Sequence, residues 1–452
     1  MRRQIGRIVS DMTSGLHYVQ RNMSIVSPSP PLRELTGRQI QWIAGGYVLC
    51  LASMPGQTIF IAQFNSAIRG EFGLSHGEFG FLYTIATLAS SVCLVWAGAL
   101  ADRIAPRTLG VICLFGLAIV ALGMSQVHNI VALGFALFGL RFFGQGMMGH
   151  IAMTTMARWF HRFRGRALSF AQLGNPTGEA LLPFVLTLAI VAFGWRQVWL
   201  GTVAVILLVL IPLVVLLFRD PPDGKRALAR GDKNPDGDSA TEPVGQKWTR
   251  GAVLRDPLFF MIIPGIMGPP AIGTLFVFHQ AHLSVLKGWD LTTFTAFFPV
   301  LSISVVVVAI ISGMLVDRFG AWRIVPFILI PQGFGCIILG TLNPVWTIPA
   351  FLMTFGMTAG MMSPVVGALW AELYGTAHIG TIRALVNSAF VFASAIGPGV
   401  AGLLIDFGVE LDAQAFVYAA YCFGGAASYF VMAHRFRTRV DAMAAERAAV
   451  TP

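Results

Sequence analysis

A chain of 452 residues that is 56% hydrophobic and only 12% charged lies far from the roughly 25% charged content of an ordinary soluble domain. A mean hydropathy of +0.72 over the whole length excludes a single water-facing globule and points to repeated apolar segments in a bilayer. The net charge of +10 would suit a nucleic-acid binder only if the basic residues formed one patch, and their distribution along the chain excludes that reading.

Residues 1–39 are polar and arginine-rich, with no short apolar stretch near the start and no small-residue cleavage site, and are read as a tail rather than a removable signal peptide. Mainly apolar stretches of roughly 20 residues, the length that spans a bilayer, follow at about 40–65, 79–101, 108–126, 130–153, 167–190 and 197–218. Residues 219–256, with Pro221-Pro222-Asp223-Gly224 and Asp232-Lys233-Asn234-Pro235, are charged and turn-rich and are read as a linker loop. Six further stretches cover about 257–281, 292–314, 323–341, 346–370, 384–405 and 414–434, and residues 435–452 form a second tail. Twelve crossings put both termini on one side. Of the 31 Lys and Arg residues, 27 fall in the tails and the even-to-odd loops, while Arg69, Arg196 and Lys287 face the other side and Arg141 lies within a helix. The positive-inside rule then places both termini and the linker in the cytoplasm of a cell whose inner membrane the chain crosses. The expected fold is all-α and integral to the membrane, with bundles of six helices at 40–218 and 257–434.

An ionisable side chain at mid-bilayer costs roughly 2.5–3.5 kcal/mol even on a lenient insertion scale, so each one needs a partner or a purpose. Arg141, near the middle of helix 4, and Glu179, near the middle of helix 5, lie at comparable depths on consecutive helices. A carboxylate that pairs with the guanidinium when ionised and releases it when protonated would link proton occupancy to solute affinity. The competing reading is a permanent buried pair that only joins two helices. Gln57, beside the Pro55-Gly56 break, and Gln63 are the polar candidates on helix 1; Gln145 in Arg141-Phe142-Phe143-Gly144-Gln145-Gly146 and Asn175 in Gly174-Asn175-Pro176-Thr177-Gly178-Glu179 complete those of the first half. Helix 7, interrupted by Gly268-Pro269-Pro270, leads to His279, a titratable group or an interfacial residue. The five cysteines show no CxxC or His-paired spacing and are read as packing, with no metal. No phosphate-binding loop occurs, so no cofactor is expected and the driving force is an ion gradient, H+ being the expected ion.

Four short matches recur in order between the halves: Thr58-Ile59-Phe60 with Thr274-Leu275-Phe276, Gly98-x-Leu100-x-Asp102-Arg103 with Gly313-x-Leu315-x-Asp317-Arg318, Gly146-Met147-Met148 with Gly360-Met361-Met362, and Arg166-Ala167-Leu168 with Arg383-Ala384-Leu385. Their offsets of 216, 215, 214 and 217 residues make the two bundles pseudo-symmetric copies. The 216 shift also sets Gln63 against His279. Parallel repeats of six helices are an architecture of alternating-access carriers.

On these residues the chain resembles the major facilitator superfamily over about 40–434. Gly98, Asp102, Arg103 and Arg107 resemble the family's loop between helices 2 and 3, and Gly313, Asp317, Arg318, Gly320 and Arg323 resemble it more completely, since Ala105-Pro106 replaces the second glycine of the first copy. The resemblance implies a gating role for these residues, with Asp and Arg pairing across the halves in one state and separating in the other; topology anchors and helix caps are the alternative. The helix 4 segment resembles one whose arginine is associated with proton coupling. Arg158-Trp159-Phe160 followed by Arg164-Gly165-Arg166-Ala167 resembles the monocarboxylate and oxalate/formate carriers, whereas Glu179 stands where drug exporters would carry a Gly-Pro pair. The reading is a secondary transporter, not an enzyme, that moves a small organic solute by alternating access with proton coupling, a monocarboxylate-like anion ahead of other solutes. A proton-antiporting exporter of drugs or metabolites is the alternative and a membrane-embedded sensor the remote one. The partners expected are the solute and the lipid bilayer, with no nucleic acid, for a monomer.

Overall fold

The computed structural model describes residues 36–160, 164–219 and 248–450. Most of the expected tail 1–39, most of the linker 219–256 and the last two residues of the tail 435–452 lie outside the described residues. By compactness the chain divides after Trp42. In the first unit Thr36 and Gln39 exchange hydrogen bonds of 3.0 and 3.3 Å at the entry to the first helix.

The long helices, in chain order, are α1 (Gly37–Gly56 and Thr58–Phe72, bent by 44°), α2 (His76–Arg103), α3 (Pro106–Ser125), α4 (Ile130–Trp159), α5 (Gly165–Phe193), α6 (Trp195–Leu217), α7 (Pro257–Phe278), α8 (Leu291–Phe319), α9 (Ala321–Thr341), α10 (Thr347–Tyr374), α11 (Ile379–Asp406) and α12 (Leu411–Val431 and Ala433–Glu446, bent by 50°). Ten are long and apolar enough to cross a membrane as they stand, twelve with each bent pair taken as one crossing, and no strand occurs among the described residues. Exposure is inverted relative to a soluble protein: Val191, Leu208 and Val431 are 80%, 76% and 83% exposed, while Arg141 is 2% exposed. Such a surface suits lipid and would be unstable in water.

Local chemistry sets the helix ends. Ser75 and Glu78 form a reciprocal capping box at the start of α2, with bonds of 3.1 and 2.8 Å. Asn129 and Asp290 cap α4 and α8 by accepting from Ala132 and Thr293, each at 2.8 Å. Several helices outrun the expected apolar stretches. The first, expected at about 40–65, runs to Phe72 and bends at Gln57, because a helix can continue past the hydrocarbon into polar residues that hydropathy does not count. The tail expected at 435–452 is instead helical over Ala433–Val450. Its helical spacing buries Phe436 and Met443, and Arg439 pairs with Asp256 at 2.8 Å.

The two six-helix halves meet along α2 and α11, α5 and α8, and α1 and α7. The α2–α11 approach requires glycine: a Cβ on Gly80 would lie 2.6 Å from the Pro398 carbonyl oxygen, and one on Gly402 2.3 Å from that of His76. Hydrogen bonds between the halves gather toward the face where α1 turns into α2, here termed the turn face; the opposite one, with the α2–α3 and α8–α9 loops, is the motif face. Asn65 Nδ2 donates to the Phe278 carbonyl at 2.8 Å, and Thr84 Oγ1 donates to that of Ala395 at 2.6 Å. The Asp406 carboxylate accepts from Ser75 Oγ, His76 N and Gly77 N at 2.7, 3.0 and 2.8 Å.

Candidate functional site

Two helix defects face one another and create the first part of the site. Pro55 and Gly56 form a 3-10 turn, after which Gln57 is extended (φ −80°, ψ 147°), so the Gly56 carbonyl leaves the helical ladder. Opposite it, α4 widens into a π-helical bulge over Leu140–Met148, which carries Arg141 and Gln145. The backbones nearly touch: a Cβ on Gly56 would lie 2.2 Å from Leu140 O and 2.5 Å from Gln145 N. This closeness lets Arg141 Nη1 donate to Gly56 O at 2.9 Å and to Thr58 Oγ1 at 3.4 Å. The guanidinium carbon lies 5.1 Å from the Tyr83 ring centroid, and the Tyr83 and Thr58 hydroxyls are 2.6 Å apart. Arg141 Nε is buried with no hydrogen-bond partner. The charge is therefore held by a carbonyl, a hydroxyl and an aromatic face, with no carboxylate on it.

A second polar group lies between α1 and α5. Gln57 Nε2 donates to Ser53 Oγ at 3.2 Å, and Ser53 Oγ lies 3.3 Å from Asn175 Oδ1. Glu179 stands one turn beyond Asn175, half-buried, with neither a hydrogen bond nor an ion pair among the described residues. The ion pair expected between Arg141 and Glu179 is not formed in this structure. Equal depth on neighbouring helices does not fix which way two side chains turn, and the freed Gly56 carbonyl and Tyr83 ring take the arginine first.

The remaining expected residues fall in three other places. Gln63 is buried, donating to Ile59 O and accepting from Thr187 Oγ1, both at 3.1 Å, so it ties α1 to α5. Gln145 is half-buried on the bulge beside Gly144. His279 is 1% exposed and lies in the turn-face seal, its Nε2 2.9 Å from Pro398 O.

At the motif face Asp102 forms an ion pair with Arg158, whose Nη1 also donates to Ala101 O at 2.9 Å, so this pair lies within one half and does not span two. His150 Nε2 meets Gly98 O at 3.0 Å, while Arg103 and Arg107 are exposed. In the second half Glu372 accepts from the backbone N–H groups of Ala321 and Trp322 at 2.7 and 3.0 Å, next to Gly320 at φ +83°. Arg323 lies over Trp322 at 4.8 Å and Arg318 over Phe319 at 5.2 Å; Asp317 and Gly313, expected in the loop, lie on the last two turns of α8. Tyr83 and Ser53, which complete these contacts, are not marked in the sequence: a tyrosine or serine in an apolar helix has no distinguishing neighbours.

A cavity of about 600 Å³ lies between α1, α5 and α6, lined by Met54, Pro55, Leu182, Leu186, Val198 and Ile206 among others. Its wall carries no charged group among the described residues, Gln197 and Thr202 being its polar side chains.

The chain is 22% identical to the Agnestins efflux protein AgnL12 of Paecilomyces divaricatus, covering 84% of each. It is 25% identical to monocarboxylate transporter 11 of Mus musculus, covering 71% of this chain and 70% of the other. Its fold matches the crystal structure of a bacterial homologue of the human lysosomal transporter Spinster in an inward-facing, unoccupied conformation, with a TM-score of 0.67 at 15% identity, covering 90% of this chain and 99% of that one. The family model of the Major Facilitator Superfamily matches residues 22–398, and the chain, a membrane solute transporter, belongs to that family.

Proposed function

We propose that this transporter is a proton-coupled carrier of a small organic monocarboxylate, in which residues 40–218 rock against residues 257–434 around Arg141 and Glu179. The observation that carries the reading is the state of Arg141: a buried mid-membrane cation held only by neutral acceptors, with Nε unpartnered. A carboxylate is a stronger acceptor than a carbonyl and takes a guanidinium in a two-bond fork, so an entering anion displaces Gly56 O and Thr58. Glu179 supplies the proton: protonated, it admits a second carboxylate to the same pocket without like-charge repulsion, and ionised, it competes for Arg141 and expels the solute. Gln57, Asn175 and Gln145 orient the solute by hydrogen bonds; Gln63 and His279 hold the helices that frame it. Asp102, Arg103, Arg107, Asp317, Arg318 and Arg323, with Gly98 and Gly313, act as gate elements at the motif face. Both termini lie in the cytoplasm, the membrane is that of the cell, and the carrier works as a monomer with no cofactor.

A second reading, export of a cationic solute against protons, is favoured by one observation: Glu179 has no cation partner among the described residues. The similarity to an efflux protein supports the same direction.

The test is uptake of labelled monocarboxylates and organic amines into proteoliposomes with and without an imposed pH gradient. Monocarboxylate accumulation that follows the gradient, lost in Glu179→Gln while exchange at equilibrium persists, is expected. Amine uptake in place of carboxylate selects the exporter, and normal gradient-driven accumulation by Glu179→Gln ends the coupling role.

A further inference from the structure

We propose that the seal between the halves at the turn face is a proton-operated latch made of His76, His279 and His282, and that protons bound there open it. His76 begins α2 in the first half, whereas His279 and His282 follow α7 in the second. The ring of His76 lies 5.6 Å from that of His279 and 4.3 Å from that of His282, centroid to centroid. Three imidazoles from two moving bodies thus meet at the contact that must part when the carrier turns. Phe278 packs between His279 and Tyr83, the ring beside Arg141, and the latch does not depend on the roles given to Arg141 and Glu179.

The neighbours determine what a proton does. His282 Nε2 lies 2.7 Å from Glu410 Oε2, so a charged His282 has a carboxylate waiting. The other two rings do not. His279 Nε2 is engaged with Pro398 O at 2.9 Å, and the Nδ1 atoms of both His76 and His279 are buried without a hydrogen-bond partner. Asp406 faces the cluster, but its oxygens already accept from Ser75 Oγ, His76 N and Gly77 N. Arg69, whose Nε donates to Leu74 O at 3.2 Å, is a fixed cation acting on His76 and His279. Glu78, on the same helix as His76, is engaged in the capping box with Ser75. With the rings neutral, Asp406 and Glu410 outweigh Arg69 and the seal holds. With all three protonated, four cations face two carboxylates, and the new N–H groups of His76 and His279 point at no acceptor. Parting the halves lets water solvate those rings, so the open latch binds protons better and protons favour the open latch. Acid at the turn face therefore exposes the solute pathway to that side, and deprotonation lets the seal reform.

The experiment uses the full chain in nanodiscs, with the five cysteines replaced and spin labels at Gln126→Cys and Val345→Cys, exposed positions in the α3–α4 and α9–α10 turns of opposite halves. Distance distributions are recorded at about pH 8 and about pH 5.5, on either side of the ordinary histidine range. In the otherwise unsubstituted latch the long-distance population rises about threefold or more on acidification, because the open latch binds protons better than the closed one. The triple variant His76→Gln, His279→Gln, His282→Gln stays at the short distance at both pH values, His279→Lys shows the long distance without acid, and Glu179→Gln keeps the acid response. No response in the unsubstituted latch, a measurement that needs no change at the histidines, overturns the proposal. So does an acid shift that survives in the triple variant, or one that disappears in Glu179→Gln and so belongs to the membrane site.

Discussion

The two halves share a backbone plan but not its chemistry. By the local offsets of 214 and 217 residues, the positions matching Arg141 and Glu179 in the second half are Phe355 and Ile396. Phe355 packs among Phe351 and Phe276, at 4.4 and 5.8 Å between ring centroids, where its counterpart holds a guanidinium. Asp102, Arg103 and Arg166 keep the sign of their charge in Asp317, Arg318 and Arg383, but at three other matched positions the sign is reversed. Glu71 and Arg196 correspond to Lys287 and Asp412, and Arg158 corresponds to Glu372. Helix packing therefore uses the geometry twice, whereas the mid-membrane charges of Arg141 and Glu179 have no charged counterpart in the second half. A single mid-membrane cation also costs less to bury than two.

Replacing matched residues tests this division most directly. Arg141→Ala is expected to lower transport at least about 100-fold, since it removes both the charge and the fork. Phe355→Leu, at the matching position, is expected to change it by less than about threefold, a packing adjustment in an apolar wall. Initial rates in proteoliposomes, normalised to inserted protein, compare the two. Equal losses would mean that the second half carries chemistry too, and the asymmetry would fail.

The asymmetry was partly visible in the residues themselves. The twelve apolar stretches, the internal repeat and the isolation of Arg141 and Glu179 within them all follow from composition and spacing, because a bilayer imposes length and polarity on every crossing. The partner of Arg141 was not visible. It is the Gly56 carbonyl, an atom every residue carries, and it becomes an acceptor only because Pro55-Gly56 breaks α1 opposite the α4 bulge. Asp102 was legible as a charged residue at a helix end, but its partner Arg158 lies on the same half, 56 residues along. His76 escaped notice for a different reason: its cluster is assembled from two repeats about 200 residues apart, and no local pattern marks it. Depth along a helix is readable from a sequence, while rotation about its axis depends on packing that only the fold supplies.

The turn-face corners give a finer test of the reversed charges. In the first half Arg196 is multiply anchored: Nη2 meets Glu71 Oε1 at 2.5 Å and Val127 O at 2.6 Å, and Nη1 meets Ser125 O at 2.8 Å. Trp195 Nε1 also donates to Glu71 Oε2 at 2.9 Å. Arg196→Met is expected to cost about 1–2 kcal/mol, since two carbonyls and a partly exposed carboxylate lose their donor together. Thermal unfolding in detergent reads this loss.

Lys287 occupies the matching corner of the second half with fewer bonds, its Nζ donating to Asn343 Oδ1 at 2.9 Å. Burial lowers its pKa and the charge of Asp412 opposes that shift, so the charged form gains little from folding. The sign of the shift matters: a lysine harder to charge when folded weakens the fold at neutral pH, and the penalty fades as pH rises through its folded pKa. Lys287→Met is therefore expected to shift stability by only about 0.5 kcal/mol or less near neutral pH, well below Arg196→Met, because an apolar chain of similar length removes the cost of burying the charge along with its one bond. Unfolding both variants side by side decides the matter. Equal losses at the two corners would show that the reversed pairs are equivalent struts; a loss confined to Arg196→Met would show that the duplication kept the position of the charge and let its structural work lapse in the second copy.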